Sequence, residues 1–198
     1  MESAEDSLTT EQRSVLLQLA REAVERAALG QPGPSPQLED LPEALCAPRA
    51  TFVTLTRNGD LRGCIGALQA ALPLALDVVV HARAAATEDF RFYPVRPEEA
   101  SGIEIEISIL SEPAPLEYRD RDDLIARLRP GIDGVILSSG PHRATFLPQV
   151  WEKVPHASHF LDLLCEKAGL APRAWLTAHP DILTYQVESF HETTAADR

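Results

Sequence analysis

Apolar residues recur along the chain with two different periods, and the switches between them mark its elements. Leu16, Leu17, Leu19, Ala20, Ala23, Val24 and Ala27 fall at helical spacing. Thr9-Thr10-Glu11-Gln12 ahead of them has the form of a capping box, and Gly30 behind them is a natural C-terminal cap. Pro32, Pro34 and Pro36 make residues 31–41 an extended connector. Residues 51–56 and 61–65 predict a hairpin across Asn58-Gly59, a pair that tolerates the positive φ angles of a two-residue turn. Pro73 opens a second helix carrying Leu74, Leu76, Val79, Val80 and alanines to Ala86, with its end expected near Asp89.

Residues 102–111 alternate instead. Ile103, Ile105, Ile107 and Ile109 face one way, and Glu104, Glu106 and Ser108 face the other. One face should therefore pack on helices while the other is open or lines a cleft. A short acidic helix is expected at 122–128 and a second hairpin at 135–138 and 143–147, around Gly140-Pro141. A last helix follows at 156–167, stopped by Gly169, with a terminal strand at 183–188. Hairpins dominate over βαβ units, so the predicted class is α+β: a mostly antiparallel sheet flanked by helices, with room for a smaller second lobe. A length of 198 residues fits one domain over 1–198, folded over 8–190, with 191–198 as a frayed tail.

Composition narrows the function classes. With 44% hydrophobic residues the chain is expected to fold, and no apolar run reaches the length of a membrane span. Residues 1–10 are acidic and polar, unlike a signal peptide, so a cytoplasmic protein with reduced thiols is expected. Eighteen Lys and Arg against 30 Asp and Glu give a formal charge of −12, which argues against nucleic acid and anionic membranes as partners. Cys46, Cys64 and Cys165 are far apart and unpaired by spacing, so neither a disulfide framework nor a zinc cage is indicated. Gly131-Ile132-Asp133-Gly134 lacks the spacing and lysine of a phosphate loop. Its glycines suit a turn in which Asp133 bonds the backbone. No metal and no cofactor is implied.

The chemistry concentrates in Asn58-Gly59-Asp60-Leu61-Arg62-Gly63-Cys64-Ile65-Gly66. Gly63 and Gly66 strip bulk from the backbone around Cys64, so another chain or a ligand can approach. Strand alternation puts Arg62 and Cys64 on one face, where a guanidinium favours thiolate over thiol. Cys64 is thus a candidate nucleophile or covalent acceptor. The competing reading is a small residue needed where the strand passes under a helix.

Leu61-Arg62-Gly63-Cys64-Ile65-Gly66 resembles the LRGCIG hexapeptide of the AMMECR1 domain family. Further blocks match in order: Glu88-Asp89-Phe90-Arg91-Phe92 with Pro94, Glu106-Ile107-Ser108-Ile109-Leu110-Ser111, Gly131-Ile132-Asp133-Gly134-Val135, Thr145-Phe146-Leu147-Pro148-Gln149-Val150, and Leu164-Cys165-Glu166-Lys167-Ala168-Gly169-Leu170. The resemblance implies an AMMECR1-like fold over roughly the whole chain. It also implies a place as protein A of the AmmeMemoRadiSam system, with Memo-like and radical SAM proteins as partners. No reaction of its own comes with it.

Around Cys64 the residues leave alternatives open. Asp89 and Arg91 form either a structural ion pair holding their loop or, through Arg91, a fork for a carboxylate or phosphate. Glu106 is a candidate general base if its face also carries Cys64, and with Ser108 it falls in a family block, unlike Glu104. His81 follows the hairpin closely, either near Cys64 or as a half-buried helix histidine. His142 belongs to a hairpin tip. His156 and His159 share a helical face without a third ligand to make a metal site. Two functions follow. The first is a binding or adaptor module in which the hexapeptide and residues 90–94 dock a partner. The second is an enzyme using Cys64 in group transfer on a small molecule.

Overall fold

The structure, a computed structural model, describes residues 7–192. In chain order its elements are α1 (Thr10–Ala28), α2 (Glu43–Cys46), β1 (Ala50–Arg57), β2 (Asp60–Gly66), α3 (Leu74–Thr87), α4 (Pro97–Ala100), β3 (Glu104–Leu110) and β4 (Ala114–Pro115). There follow α5 (Arg121–Arg127), β5 (Gly134–Ser139), β6 (His142–Phe146), α6 (Ala157–Lys167), β7 (Asp181–Tyr185) and β8 (Val187–His191). The fold is α+β with two antiparallel sheets flanked by helices, ordered β2-β1-β3-β8 and β4-β7-β5-β6. The chain divides into two compact units, one running to Leu110 and resuming at Glu188, the other Ser111–Val187. No helix among the described residues is long and apolar enough to cross a membrane.

The first unit is built on the β1–β2 hairpin. Asn58 and Gly59 turn it with φ of 55° and 84°, as the turn chemistry requires. β3 then pairs along the other side of β1. Val53, Leu55, Ile105, Ile107 and Ile109 on one sheet face are almost fully buried, and α3 and α1 cover them with Leu16, Ala20, Val24, Val78, Ala82 and Ala85. Alanine repeats on α3 allow that close approach. Thr9 caps α1 through the expected reciprocal box with Gln12. At the other end Gly30 N–H donates to the Ala27 carbonyl and Gln31 N–H to that of Arg26.

In the second unit, α5 and α6 pack on the β5–β6 hairpin and β7 around Trp151 and Phe160. Their rings stack 3.7 Å apart, among Val135, Leu137, Leu161, Leu164 and Trp175. Asp120 caps α5 by accepting from the amides of Asp122 and Asp123. Asp133 accepts from the Arg129 amide at 2.8 Å, the backbone role its turn predicted.

Boundaries moved where a short-range signal was absent. The single terminal strand expected at 183–188 is two strands broken at Gln186, β7 in one sheet and β8 in the other. His191, placed in the expected tail, still belongs to β8, and Glu192 accepts from Arg21 and from the Ile105 amide. The rest of that tail lies outside the described residues. α4 has no counterpart in the hydrophobic pattern, yet Pro97 at its start and Glu at its third position are helix-opening residues.

Gly63 tests this packing most simply. A Cβ there would lie 2.2 Å from the Ala85 carbonyl oxygen, a backbone atom that cannot swing aside. Gly63→Ala is expected to lower unfolding free energy by about 1–3 kcal/mol, measured by urea denaturation. An unchanged midpoint would contradict the close contact of β2 with α3.

Candidate functional site

Cys64 occupies an edge strand, because β2 pairs with β1 alone. The backbone groups of an unpaired edge need partners. Here they come from two side chains in the loop after α3: the Cys64 amide donates to Asp89 Oδ2 at 2.9 Å, and Arg91 Nη2 donates to the Cys64 carbonyl at 3.5 Å. The two side chains also grip one another, Arg91 Nε to Asp89 Oδ1 at 2.9 Å and Nη2 to Oδ2 at 2.6 Å. Acid and guanidinium thus stand in for the peptide of a missing neighbouring strand. Asp89 is 4% exposed, and the Arg91 hydrogen bonds hold its carboxyl far below the usual carboxylate range, the Cys64 amide adding to them against the cost of burial. The ion-pair role expected of Asp89 and Arg91 is present, and it is fastened to the hexapeptide.

Register decides which side chains meet the thiol. Thr54 lies opposite Cys64 across β1–β2 and opposite Glu106 across β1–β3. Cys64, Thr54 and Glu106 therefore form a row on the sheet face away from α3. The polar face of β3 does carry Cys64, but β1 stands between, separating Glu106 from it by about 10 Å, two strand spacings. Glu106 makes no direct contact as a base. Thr54 Oγ1 donates to Cys64 Sγ at 3.3 Å instead, and the half-buried thiol has that hydroxyl as its partner. Ser108, farther along β3, shares a hydrogen bond with Ser189 at 2.9 Å.

Arg62 does not sit as alternation predicts. Thr56 pairs with Leu61 and Leu55 with Gly63, so Arg62 is the extra residue of a β-bulge. Its guanidinium goes to Glu99 of α4, Nη2 to Oε2 at 3.2 Å and Nε to Oε1 at 3.4 Å. Arg57 donates to the same carboxylate at 3.1 Å. Arg62, with the Arg96 amide behind it, holds the Glu99 carboxyl below its ordinary value. The charge meant to activate Cys64 is thus spent on an acid. The glycines, too, serve packing: Gly63 admits the backbone of α3, and a Cβ on Gly66 would strike the Thr51 carbonyl at 2.3 Å and the Phe52 ring at 2.4 Å.

Histidines contribute nothing to Cys64. His81 packs on the opposite sheet face, its Nδ1 3.0 Å from Asp77 Oδ2 and 3.2 Å from Thr51 Oγ1, while Thr51 donates to Asp77 at 2.6 Å. His142 is half-buried rather than solvated and donates from Nδ1 to the Ala168 carbonyl at 3.0 Å. His156 and His159 are exposed. Among the described residues no three metal-ligating side chains cluster.

Beside the hexapeptide opens a groove of about 530 Å³, lined by Arg57, Arg62, Arg91 and Arg96 with Phe92, Tyr93, Pro94, Glu98 and Glu99. The loop held by Asp89 and Arg91 forms one wall. Phe90 is 95% exposed and Tyr93 89%, a large apolar surface for two consecutive turns of one loop. Glu99, Thr54, Arg57 and Arg96 were not foreseen. Pro97-Glu98-Glu99 has helix-opening residues, but nothing in the spacing links it to Arg62.

The sequence model of the AMMECR1 family matches residues 17–190, a span that holds every residue of this site. A protein of Methanothermobacter thermautotrophicus is 37% identical over 193 residues, covering 93% of this chain and 96% of its own. One from Methanosarcina acetivorans is 37% identical over 171 residues, covering 85% of each. The crystal structure of an uncharacterised protein from Pyrococcus horikoshii aligns with a TM-score of 0.86 at 30% identity, covering 96% of each chain.

Asp89→Ala removes the acceptor of the Cys64 amide and the counter-ion of Arg91, and is expected to cost about 1–3 kcal/mol. The pH dependence has a fixed sign. A carboxyl whose pKa is depressed by folding stabilises fully above its unfolded value, about 3.9, and that stability is lost as pH falls below it. The stability gap between wild type and Asp89→Ala should therefore narrow as pH drops from 5 toward about 2. A gap constant across that range, in paired urea titrations, would contradict the ionised pair.

Proposed function

Because the chain belongs to the AMMECR1 family, we propose that it is a cytoplasmic docking component of a multi-protein modification system with Memo-like and radical SAM partners, its LRGCIG motif shaping the binding surface. One observation carries this reading. The polar groups of the motif are engaged within the chain, Cys64 by Thr54, Asp89 and Arg91 and Arg62 by Glu99, while Phe90 and Tyr93 beside them stand almost wholly in solvent. Exposed aromatics on a loop pinned at its base are what a protein interface uses as anchors, since little entropy is lost on contact. On this view Arg62, Gly63, Gly66, Asp89 and Arg91 give the surface its shape, and Ser108 ties β3 to β8 behind it.

A second reading has its own support. Thr54 Oγ1 donates to Cys64 Sγ at 3.3 Å, and the thiol is free and only half-buried. Cys64 would then be a nucleophile or covalent acceptor in group transfer on a small molecule.

Two measurements separate them. In titrations with the purified Memo-like and radical SAM proteins, Phe90→Ala with Tyr93→Ala should weaken binding at least tenfold, about 1.4 kcal/mol, and Cys64→Ser should leave it within threefold. Binding that depends on Cys64 and not on the aromatics would overturn the docking reading. Iodoacetamide alkylation of Cys64 should run at the same rate in the wild type and in Thr54→Val. A rate that falls at least tenfold in Thr54→Val would favour the nucleophile instead.

A further inference from the structure

The charges of the groove narrow what can dock there. Four guanidinium groups, Arg57, Arg62, Arg91 and Arg96, face three carboxylates, Glu98 and Glu99 in the lining and Asp89 behind Arg91. Asp89 is consumed by Arg91. Glu99 serves Arg57 and Arg62 together, and its contact with Arg57 uses Nη1 alone. Arg96 is exposed and makes no ion pair among the described residues. The groove thus has one positive charge in excess, on a molecule whose net charge is −12.

That contrast selects an occupant. A single excess positive charge is matched by one carboxylate, whereas a phosphate brings a charge of about −1.5 to −2. Guanidinium forks take a carboxylate in bidentate geometry. An extended acidic surface would be repelled by the rest of the protein, so only a short segment can bring its carboxylate in. A free small acid in the groove would leave Phe90, which is 95% exposed and outside the lining, still in water. A polypeptide can fill the groove and cover Phe90 as well.

We infer that the groove captures a carboxylate on a short acidic segment of a protein partner, with Arg57 and Arg96 as its forks and Tyr93 as the apolar wall beside it. This rests on the docking reading above. The carboxylate completes the pairing that Glu99 leaves unfinished at Arg57, and the neighbouring apolar side chain of the segment lies against the aromatic loop. Arg62 and Arg91, already tied to Glu99 and Asp89, position the wall and the floor.

Selection of random twelve-residue peptides displayed on phage against the full chain tests this. Recovered peptides should be enriched in Asp or Glu next to an aromatic or leucine. As synthetic peptides they should lose at least tenfold in affinity to Arg57→Gln/Arg96→Gln and to Arg96→Glu, with binding that falls between 50 and 300 mM salt. The single Arg96→Glu change leaves the Glu99 contacts intact, so a loss there is not a folding defect, and an unchanged thermal midpoint confirms it. Peptides without carboxylates that still require Phe90 and Tyr93 would overturn this inference and leave the docking reading standing. Peptides indifferent to both sets of variants, or a selection that recovers none, would overturn both.

Discussion

An edge strand with nothing beside it is a liability, and the hexapeptide sits on one. The constraint met by Asp89 and Arg91 is that the Cys64 amide and carbonyl must find partners without a further strand. One buried carboxylate and one guanidinium supply both, and in doing so fix the loop that follows α3 to the strand that precedes it. The neighbouring features depend on that fastening. The loop carries Phe90 and Tyr93 outward, the bulge at Arg62 aims a second guanidinium at Glu99, and the four arginines come to line one groove.

The same constraint accounts for the two glycines. Gly63 is where α3 must approach for its C-terminal loop to reach Cys64, and Gly66 is where Phe52 crosses β2. The motif is thereby explained as architecture: one glycine for the helix, one for a ring, a cysteine small enough to sit beside Thr54, and an arginine anchored by α4. The thiol has the Thr54 hydroxyl as its partner, and on the docking reading proposed above the strand borders a groove whose arginines outnumber its acids.

The fold was largely legible because its signals are local. Asn58-Gly59 placed the hairpin, the isoleucine alternation placed β3 and its buried face, and Thr9 with Gln12 placed the start of α1. The site was only partly legible, and the bulge is the reason. Counting back from a two-residue turn puts Thr54 opposite Gly63, and the extra residue at Arg62 moves it to Cys64. That slip hid the thiol's partner and sent Arg62 away from the cysteine it seemed to serve. Glu99 was hidden for another reason, since a four-residue helix is too short to leave a periodic trace. The break at Gln186, which divides one apolar run between two sheets, has no local cue either.

The clamp is the claim on which the account stands, and amide hydrogen exchange reads it most directly. In the wild-type chain the Cys64 amide, though on an edge strand, should exchange as slowly as amides paired within the sheet. In Asp89→Ala the Cys64 and Arg91 amides, both bonded to the Asp89 carboxylate, should lose protection together, while amides of β5 and β6 keep theirs. A Cys64 amide that exchanges freely in the wild type, or Cys64 and Arg91 amides that stay protected without Asp89, would contradict it.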